Sequence, residues 1–287
     1  ERRVETEATF DLEASHEDLS EADLSTFDLA VICAPAHLHL PLMLACAAEK
    51  LPFMVEKPLA VAMGGADAAL RAVNEAGIIA RVGYIRRIAP EVLALRQRIE
   101  AGDIGSLKLV YMNSSQEFPK YRPDFQRTYY ARPDMGGGAI LDAASHSFDM
   151  LIWLMGRPAQ VSAMYDRLVL EGTETEDTCL ISIRFESGAM AHLTINQFHK
   201  PNTNRNEFIG TKGNLTLEHS VLSHWRDDSG NPAESQDYMD GLVPTEAHQA
   251  RFTIQANAML DAIVGGPCHL VTLEDARVSL QIAVAAK

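Results

Sequence analysis

The chain has 287 residues, 47% of them hydrophobic, with 39 acidic against 25 basic side chains and a formal net charge of -14. That length supports a sizeable core in one or two domains, and so acidic a surface argues against a nucleic-acid backbone or an anionic membrane as partner, while leaving room for a locally cationic cofactor cleft. No apolar run approaches the roughly 18 residues that a membrane span needs, and the charged opening ERRVETEATFDLEASHEDL lacks the apolar stretch of a signal peptide.

The first 27 residues are acidic and weakly periodic. FDLAVICAP then reads as a short buried strand over residues 27–33, the kind a parallel sheet uses, and Pro35 ends it. HLHLPLMLACAAEK predicts a helix that tolerates Pro41 near its first turn. PFMVEKP is a second buried strand running into Glu56, Lys57 and Pro58. Residues 65–76 form a helix stopped by Gly77, and IIARVGYIRR is a third strand. Strand, helix, strand, helix, strand is the order of a parallel α/β sheet with right-handed crossovers.

The pattern changes after Pro90. PEVLALRQRIEAGDIG predicts a helix ending at Gly102, LKLVYMNSSQE a strand from Leu107, and the polar, aromatic residues 121–135 a loop. A helix carrying Asp142 and His146 comes next, followed by the strand-like segments AQVSAMYDRLVL, DTCLISIRFES, AMAHLTINQF and NEFIGTKGNLTLE. Ser187-Gly188 and Lys212-Gly213 suit hairpin turns. Cys179, Ile181, Ile183 and Phe185 alternate with polar or smaller neighbours, giving one buried face. Short turns between consecutive strands predict an antiparallel sheet. Residues 219–246, acidic and rich in Gly, Asn and Ser, read as an irregular surface excursion. Helices return over residues 245–263 and from Glu274 onward. The chain is thus α/β first and α+β second.

Chemistry-bearing residues concentrate in two stretches. In GGGAILDAASHSFDM, residues 136–150, Asp142 and His146 stand four apart on the predicted helix, a spacing that shares one face. In VEKPLA, residues 55–60, Lys57 follows an apolar strand and precedes a proline. A lysine, a histidine and an aspartate are the groups that move a proton on and off a hydroxyl, so the pattern points to an enzyme acting on an alcohol or carbonyl. Alone, Lys57 reads as a solvated strand-end lysine and His146 as a core histidine. Together, with three glycines upstream that admit close backbone approach, they read as functional. An aspartate–histidine pair is also metal-ligand chemistry, yet no third ligand stands at suitable spacing, so no metal is expected. Asp149 reads as structural, bonding the lysine or a neighbouring helix. Cys33, Cys46, Cys179 and Cys268 show no C-x-x-C spacing and read as reduced thiols of a cytoplasmic protein.

In this order, strand–AP–x–H–L–H, VEKPLA, VGYIRR and GGGAILDAASHSFD resemble the Gfo/Idh/MocA family of NAD(P)-dependent sugar and polyol oxidoreductases, from about Asp28 onward. The resemblance implies a partial Rossmann-like parallel sheet in residues 1–88, then an α+β domain with a large, mostly antiparallel open sheet in residues 89–287, whose last helix packs back on the first domain. It implies Lys57, Asp142 and His146 as the catalytic set, with His146 as acid or base, Lys57 polarising the substrate oxygen and Asp142 holding substrate or supporting the other two. Ala34, Pro35, His39, Glu56 and Lys57 would line the site of NAD or NADP at the carboxyl ends of the strands. Tyr84 and Arg86, with Asp142 and His146, would meet a sugar, inositol or related polyol. The antiparallel sheet would form a homodimer or homotetramer.

The family opens with a strand and a G-x-G-x-x-G turn that seats a pyrophosphate on a helix N-terminus. No such motif occurs in this chain, and Gly136-Gly137-Gly138 follows a loop rather than a first strand. The sequence therefore reads as truncated at its N-terminus. A parallel sheet lacking its first strands would expose an edge, which predicts poor solubility. Two alternatives stand beside the dehydrogenase reading: a redox-neutral NAD-using glycosidase or epimerase on the same fold, and a non-catalytic scaffold that has lost cofactor binding.

Overall fold

The computed structural model describes residues 2–239 and 244–287, with the side chains of residues 5–239 and 246–287. A helix, α1 (Arg2–Thr9), and two single 3-10 turns lead into a three-stranded parallel sheet built from β1 (Ala30–Ile32), α2 (His39–Ala48), β2 (Phe53–Val55), α3 (Ala66–Ala76) and β3 (Ala80–Val82). The strands lie in the order β1-β2-β3, with Ile32 opposite Val55 and Val55 opposite Val82. Met43, Leu70 and Val73 of the two helices pack on Phe53, Val55 and Val82, each fully buried large side chain stabilising by about 1.5–3 kcal/mol. β3 ends earlier than IIARVGYIRR predicts, and Ile85–Ile88 is a 3-10 turn instead. The ladder has run out there: Gly83 still donates to the Val55 carbonyl, but beyond Val55 the neighbouring chain turns away.

The second sheet has eight strands. α4 (Pro90–Ala101) leads to β4 (Leu107–Glu117), the single-turn α5 (Phe118–Tyr121), three 3-10 turns in residues 125–135, a π-helical segment (Ala139–Ala144) and α6 (Ser145–Met155). Then come β5 (Pro158–Asp166), β6 (Thr178–Phe185), β7 (Met190–Asn196), β8 (Phe198–Gly210), β9 (Asn214–Glu218), β10 (Val221–Trp225) and β11 (Glu234–Asp237). The order is β11-β10-β9-β8-β4-β7-β6-β5. β4 occupies the slot between two antiparallel runs, so it must match one neighbour's direction: it runs parallel to β7 and antiparallel to β8. The sheet is therefore mostly, not wholly, antiparallel.

Three expectations need correction. Residues 219–246 are not an irregular excursion, since β10 and β11 occupy part of them, with Leu222 and His224 buried. Their serines and acids mask two short strands, and residues 240–243 lie outside the described residues. The polar HKPNTNR belongs to strand β8. Asp142 and His146 do not share one regular α-helix, because Asp142 sits in the π-helical segment and His146 in the first turn of α6.

α7 (Pro244–Ile263) and α8 (Leu273–Ala286) close the structure. Met259 of α7 packs with Met54, Ile88 and Leu270. α8 lies along α6 and links both cores: Leu273 and Ala276 join the parallel-sheet core, while Leu280 and Ile282 join the core beneath the large sheet. A bridge between Val82 and Val271 ties the same region to β3.

Candidate active site

Two cavities meet at the carboxyl edge of the parallel strands. The first, about 440 Å³, is lined by Cys33, Ala34, Pro35, Glu56 and Lys57 on one side and by Tyr129 and its loop on the other. The second, about 350 Å³, is lined by Lys57, Arg86, Asp142 and His146 together with Gln116, Asn202, Asn204 and His219. Lys57 faces both.

Lys57 Nζ donates to Asp142 Oδ1 at 2.7 Å and to the Asp142 carbonyl at 3.1 Å. Both side chains are largely buried, so the pair is weakly screened. The Tyr129 hydroxyl donates to the same Oδ1 at 3.0 Å. Among the described residues the buried His146 Nδ1 has no hydrogen-bond partner, and the ring meets Tyr84 edge-on at 5.5 Å. Burial first, then the positive charges of Lys57 and Arg86, hold His146 well below the ordinary imidazole value. It is a neutral imidazole at neutral pH. Arg86 donates from Nη1 to Ser147 Oγ at 3.2 Å. Burial and the neighbouring Arg251 lower its guanidinium to about 10.

The structure brings Lys57, Arg86, Asp142 and His146 together, and places Ala34, Pro35 and Glu56 on the adjoining cavity. It does not bring His39 or Tyr84 to either. Both are 1% exposed. His39 sits with Nδ1 2.8 Å from the Pro58 carbonyl and Nε2 2.8 Å from the Ala34 carbonyl, beneath the cleft it was expected to line. Tyr84 turns its hydroxyl to Ser279, 3.5 Å away, and supports the His146 ring from below. Asp149 bonds Arg87, not Lys57: Nη2 reaches Oδ1 at 2.6 Å and Nε reaches Oδ2 at 3.0 Å, while Nη1 holds Asp275 of α8 at 2.6 Å.

Two of the three glycines, Gly137 and Gly138, admit the protein's own groups. A Cβ on Gly137 would stand 2.1 Å from the Tyr130 carbonyl oxygen, and one on Gly138 2.5 Å from Glu176 Oε1. Glu176 uses that oxygen to accept from Ile140 N at 2.9 Å, capping the segment that carries Asp142. Tyr129, Asn202, Asn204 and His219 were not foreseen. Asn202 and Asn204 share one face of β8 by the period of two, a signal that only recognition of that strand could have exposed.

The residues present fit the nicotinamide end of a dinucleotide. Burial raises Glu56, with Lys57 opposing, and its Oε1 meets no donor among the described residues while its side chain borders the first cavity. A carboxylate oxygen so placed is an acceptor for a ribose hydroxyl.

The family model described as "Oxidoreductase family, NAD-binding Rossmann fold" matches residues 1–84, and the one described as "GFO/IDH/MocA C-terminal domain" matches residues 92–216. The chain is 26% identical over 277 residues to the scyllo-inositol 2-dehydrogenase (NAD(+)) of Bacillus subtilis (strain 168), covering 90% of this chain and 74% of the relative. It is 25% identical over 271 residues to the myo-inositol 2-dehydrogenase of Thermotoga maritima, covering 91% and 76%. A levoglucosan dehydrogenase solved in complex with NADH and levoglucosan shares the fold, with a TM-score of 0.85 at 22% identity over 99% of this chain and 84% of that one. The chain belongs to the Gfo/Idh/MocA family of NAD(P)-dependent oxidoreductases.

Proposed function

We propose that this chain transfers a hydride between NAD(P) and a hydroxyl-bearing carbon of a sugar, inositol or related polyol, with Lys57, Asp142 and His146 as its catalytic residues. The observation that carries this reading is the Lys57–Asp142 pair at 2.7 Å, standing in the wall between the cavity that holds Glu56 and the cavity that holds His146. The nicotinamide, when bound, accepts or returns the hydride. Ala34, Pro35, Glu56 and Lys57 would hold its ribose end. His146, kept neutral by burial and two cations, takes the proton from the substrate hydroxyl. Lys57, held by Asp142, donates to the same oxygen as negative charge develops there. Asp142 fixes the direction of that donor. Asn202, Asn204 and Gln116 offer paired donors and acceptors suited to several hydroxyls, and Arg86 stands among them. The named inositol dehydrogenases among its relatives favour a cyclic polyol.

The same reading assigns residues 1–88 to cofactor binding and residues 89–287 to substrate binding and assembly. The face of the large sheet away from α6 and α8 carries exposed Tyr111, Met164 and Met190, and we assign it to a homodimer or homotetramer contact. The free cysteines fit a cytoplasmic location, and no described helix is long and apolar enough to cross a membrane.

The test is a fluorescence titration with NADH and NADPH, followed by a turnover screen of inositols, sugars and their acids. Lys57→Ala should bind cofactor, keep its fold and lose roughly 100–1000-fold in kcat. Turnover like that of the wild type would remove Lys57 from the chemistry.

A further inference from the structure

The two halves of the site are joined by a residue outside the expected catalytic set. Tyr129 belongs to a 3-10 turn (Tyr129–Ala131) whose Tyr130 amide donates to the Thr128 hydroxyl. Its neighbour Tyr130 packs in a small aromatic core with Phe118, Phe125 and Leu170. That core anchors the turn, leaving Tyr129 facing the cavity that contains Glu56. From there its hydroxyl crosses to Asp142 Oδ1, the oxygen that also accepts from Lys57. Asp142 itself lines the other cavity.

The close fit of the turn is secured by the triple glycine. A Cβ on Gly137 would lie 2.5 Å from the Tyr129 carbonyl oxygen and 2.1 Å from that of Tyr130. Only glycine lets the backbone of this turn lie against the segment that carries Asp142. The sequence feature that first singled out Asp142 therefore also brings Tyr129 to it.

We propose that Tyr129 is a positioning residue: it holds the Asp142 carboxylate from the cofactor side so that Asp142 can aim Lys57 at the substrate oxygen. With one donor on each side, Oδ1 is fixed between the two cavities, and the Lys57 ammonium points along one line. Without the phenol, Asp142 can rotate, and Lys57 follows it. A bond that aligns a donor needed as charge develops acts on kcat rather than on ground-state binding. The proposal rests on the hydride-transfer reading, and its test includes a readout that does not need turnover.

The variant is Tyr129→Phe. The ring is partly exposed and keeps its packing, so the fold should melt within a degree or two of the wild type. The expected result is a fall in kcat of roughly 10–100-fold, the scale of one lost bond to a charged group, with substrate KM changed by less than about threefold. An unchanged kcat, or a loss confined to KM, would overturn the proposal. The second readout is an ultraviolet titration of tyrosinate. The difference between wild type and Tyr129→Phe isolates this phenol, and the same difference is taken in an Asp142→Asn background. Burial and the Asp142 carboxylate hold Tyr129 well above the usual phenol range. It should stay protonated at pH 11, where an ordinary phenol with a pKa of about 10 is mostly ionised, and should ionise at lower pH once Asp142 is neutral. Equal midpoints in the two backgrounds would refute the contact. If no substrate turns over, the hydride reading fails, and this titration still decides whether Tyr129 holds Asp142.

Discussion

Arg87 and Asp149 give the sharpest energetic prediction. The Arg87 side chain is 4% exposed and that of Asp149 0%, and two bonds join them, at 2.6 and 3.0 Å. Nη1 of the same guanidinium reaches Asp275 on α8. One cation thus ties the 3-10 turn that carries Arg86 to α6, which carries His146, and to the closing helix. Arg87→Met removes the cation and strands a buried carboxylate, which costs about 3–5 kcal/mol. At about 2.1 cal/mol/K per residue, 287 residues give an unfolding entropy near 0.6 kcal/mol/K, so Tm should fall by ~5–8 °C. The loss should depend on pH with a definite sign. Burial already raises Asp149 to about 6 with Arg87 opposing, and without Arg87 it rises further. A carboxyl whose folded pKa lies above its unfolded value of about 3.9 is bound more tightly by the proton when folded, so stability is present at low pH and lost as pH rises through the folded pKa. Arg87→Met should accordingly melt closer to the wild type at pH 5 than at pH 8. Arg87→Met with Asp149→Leu should recover most of the loss, because an apolar pair of similar volume replaces the ion pair. Calorimetric melts of the wild type, Arg87→Met, Asp149→Leu and the double variant at both pH values complete the cycle. A single variant that loses less than about 1 kcal/mol at pH 8, or a double variant no better than the single, would refute the reasoning.

His146 is depressed partly by the positive charge of Arg86, so Arg86→Gln should lift it towards its ordinary value of about 6.5. The acid limb of the kcat/KM profile should then move to higher pH, because a base that protonates more easily is lost earlier on acidification; an unmoved limb would mean that Arg86 does not act on His146. Glu176→Ala strands the buried Ile140 N–H, which Glu176 Oε1 caps at the start of the π-helical segment, and should cost about 1–3 kcal/mol, whereas Glu176→Gln keeps an acceptor and most of the stability. Thermal melts distinguish the two, and equal losses would assign the effect to charge rather than to the cap.

What the sequence could and could not disclose follows from how far each signal reaches. The parallel unit was readable because its central strand β2 is buried on both faces and α3 ends at a glycine, Gly77, so local pattern and fold agree. β4 was readable to the residue. β10 and β11 were not, because short strands near a sheet edge need only a few buried positions, and serines and acids fill the rest. No local pattern could have placed β4 between β7 and β8, since strand order is set by contacts between segments some eighty residues apart.

The site divides along the same line. Lys57, Asp142 and His146 stand out by residue type and spacing, and all three line one cavity, though not by sharing a regular helix face. Asp142 lies in a π-helical segment, and what brings it beside Lys57 is a contact across 85 residues of chain. His39 and Tyr84 were misplaced for a shared reason: both are polar residues next to the expected cleft, and both spend their polar atoms on neighbouring backbone or hydroxyl groups behind it. A motif names which side chains are near a site, whereas burial and partners decide which of them face it. Tyr129 shows the converse. It sits in a stretch with no periodicity, and its role rests on one hydroxyl reaching one carboxylate oxygen, which no local pattern encodes. The only trace in sequence is indirect, in the glycine that lets its turn come close.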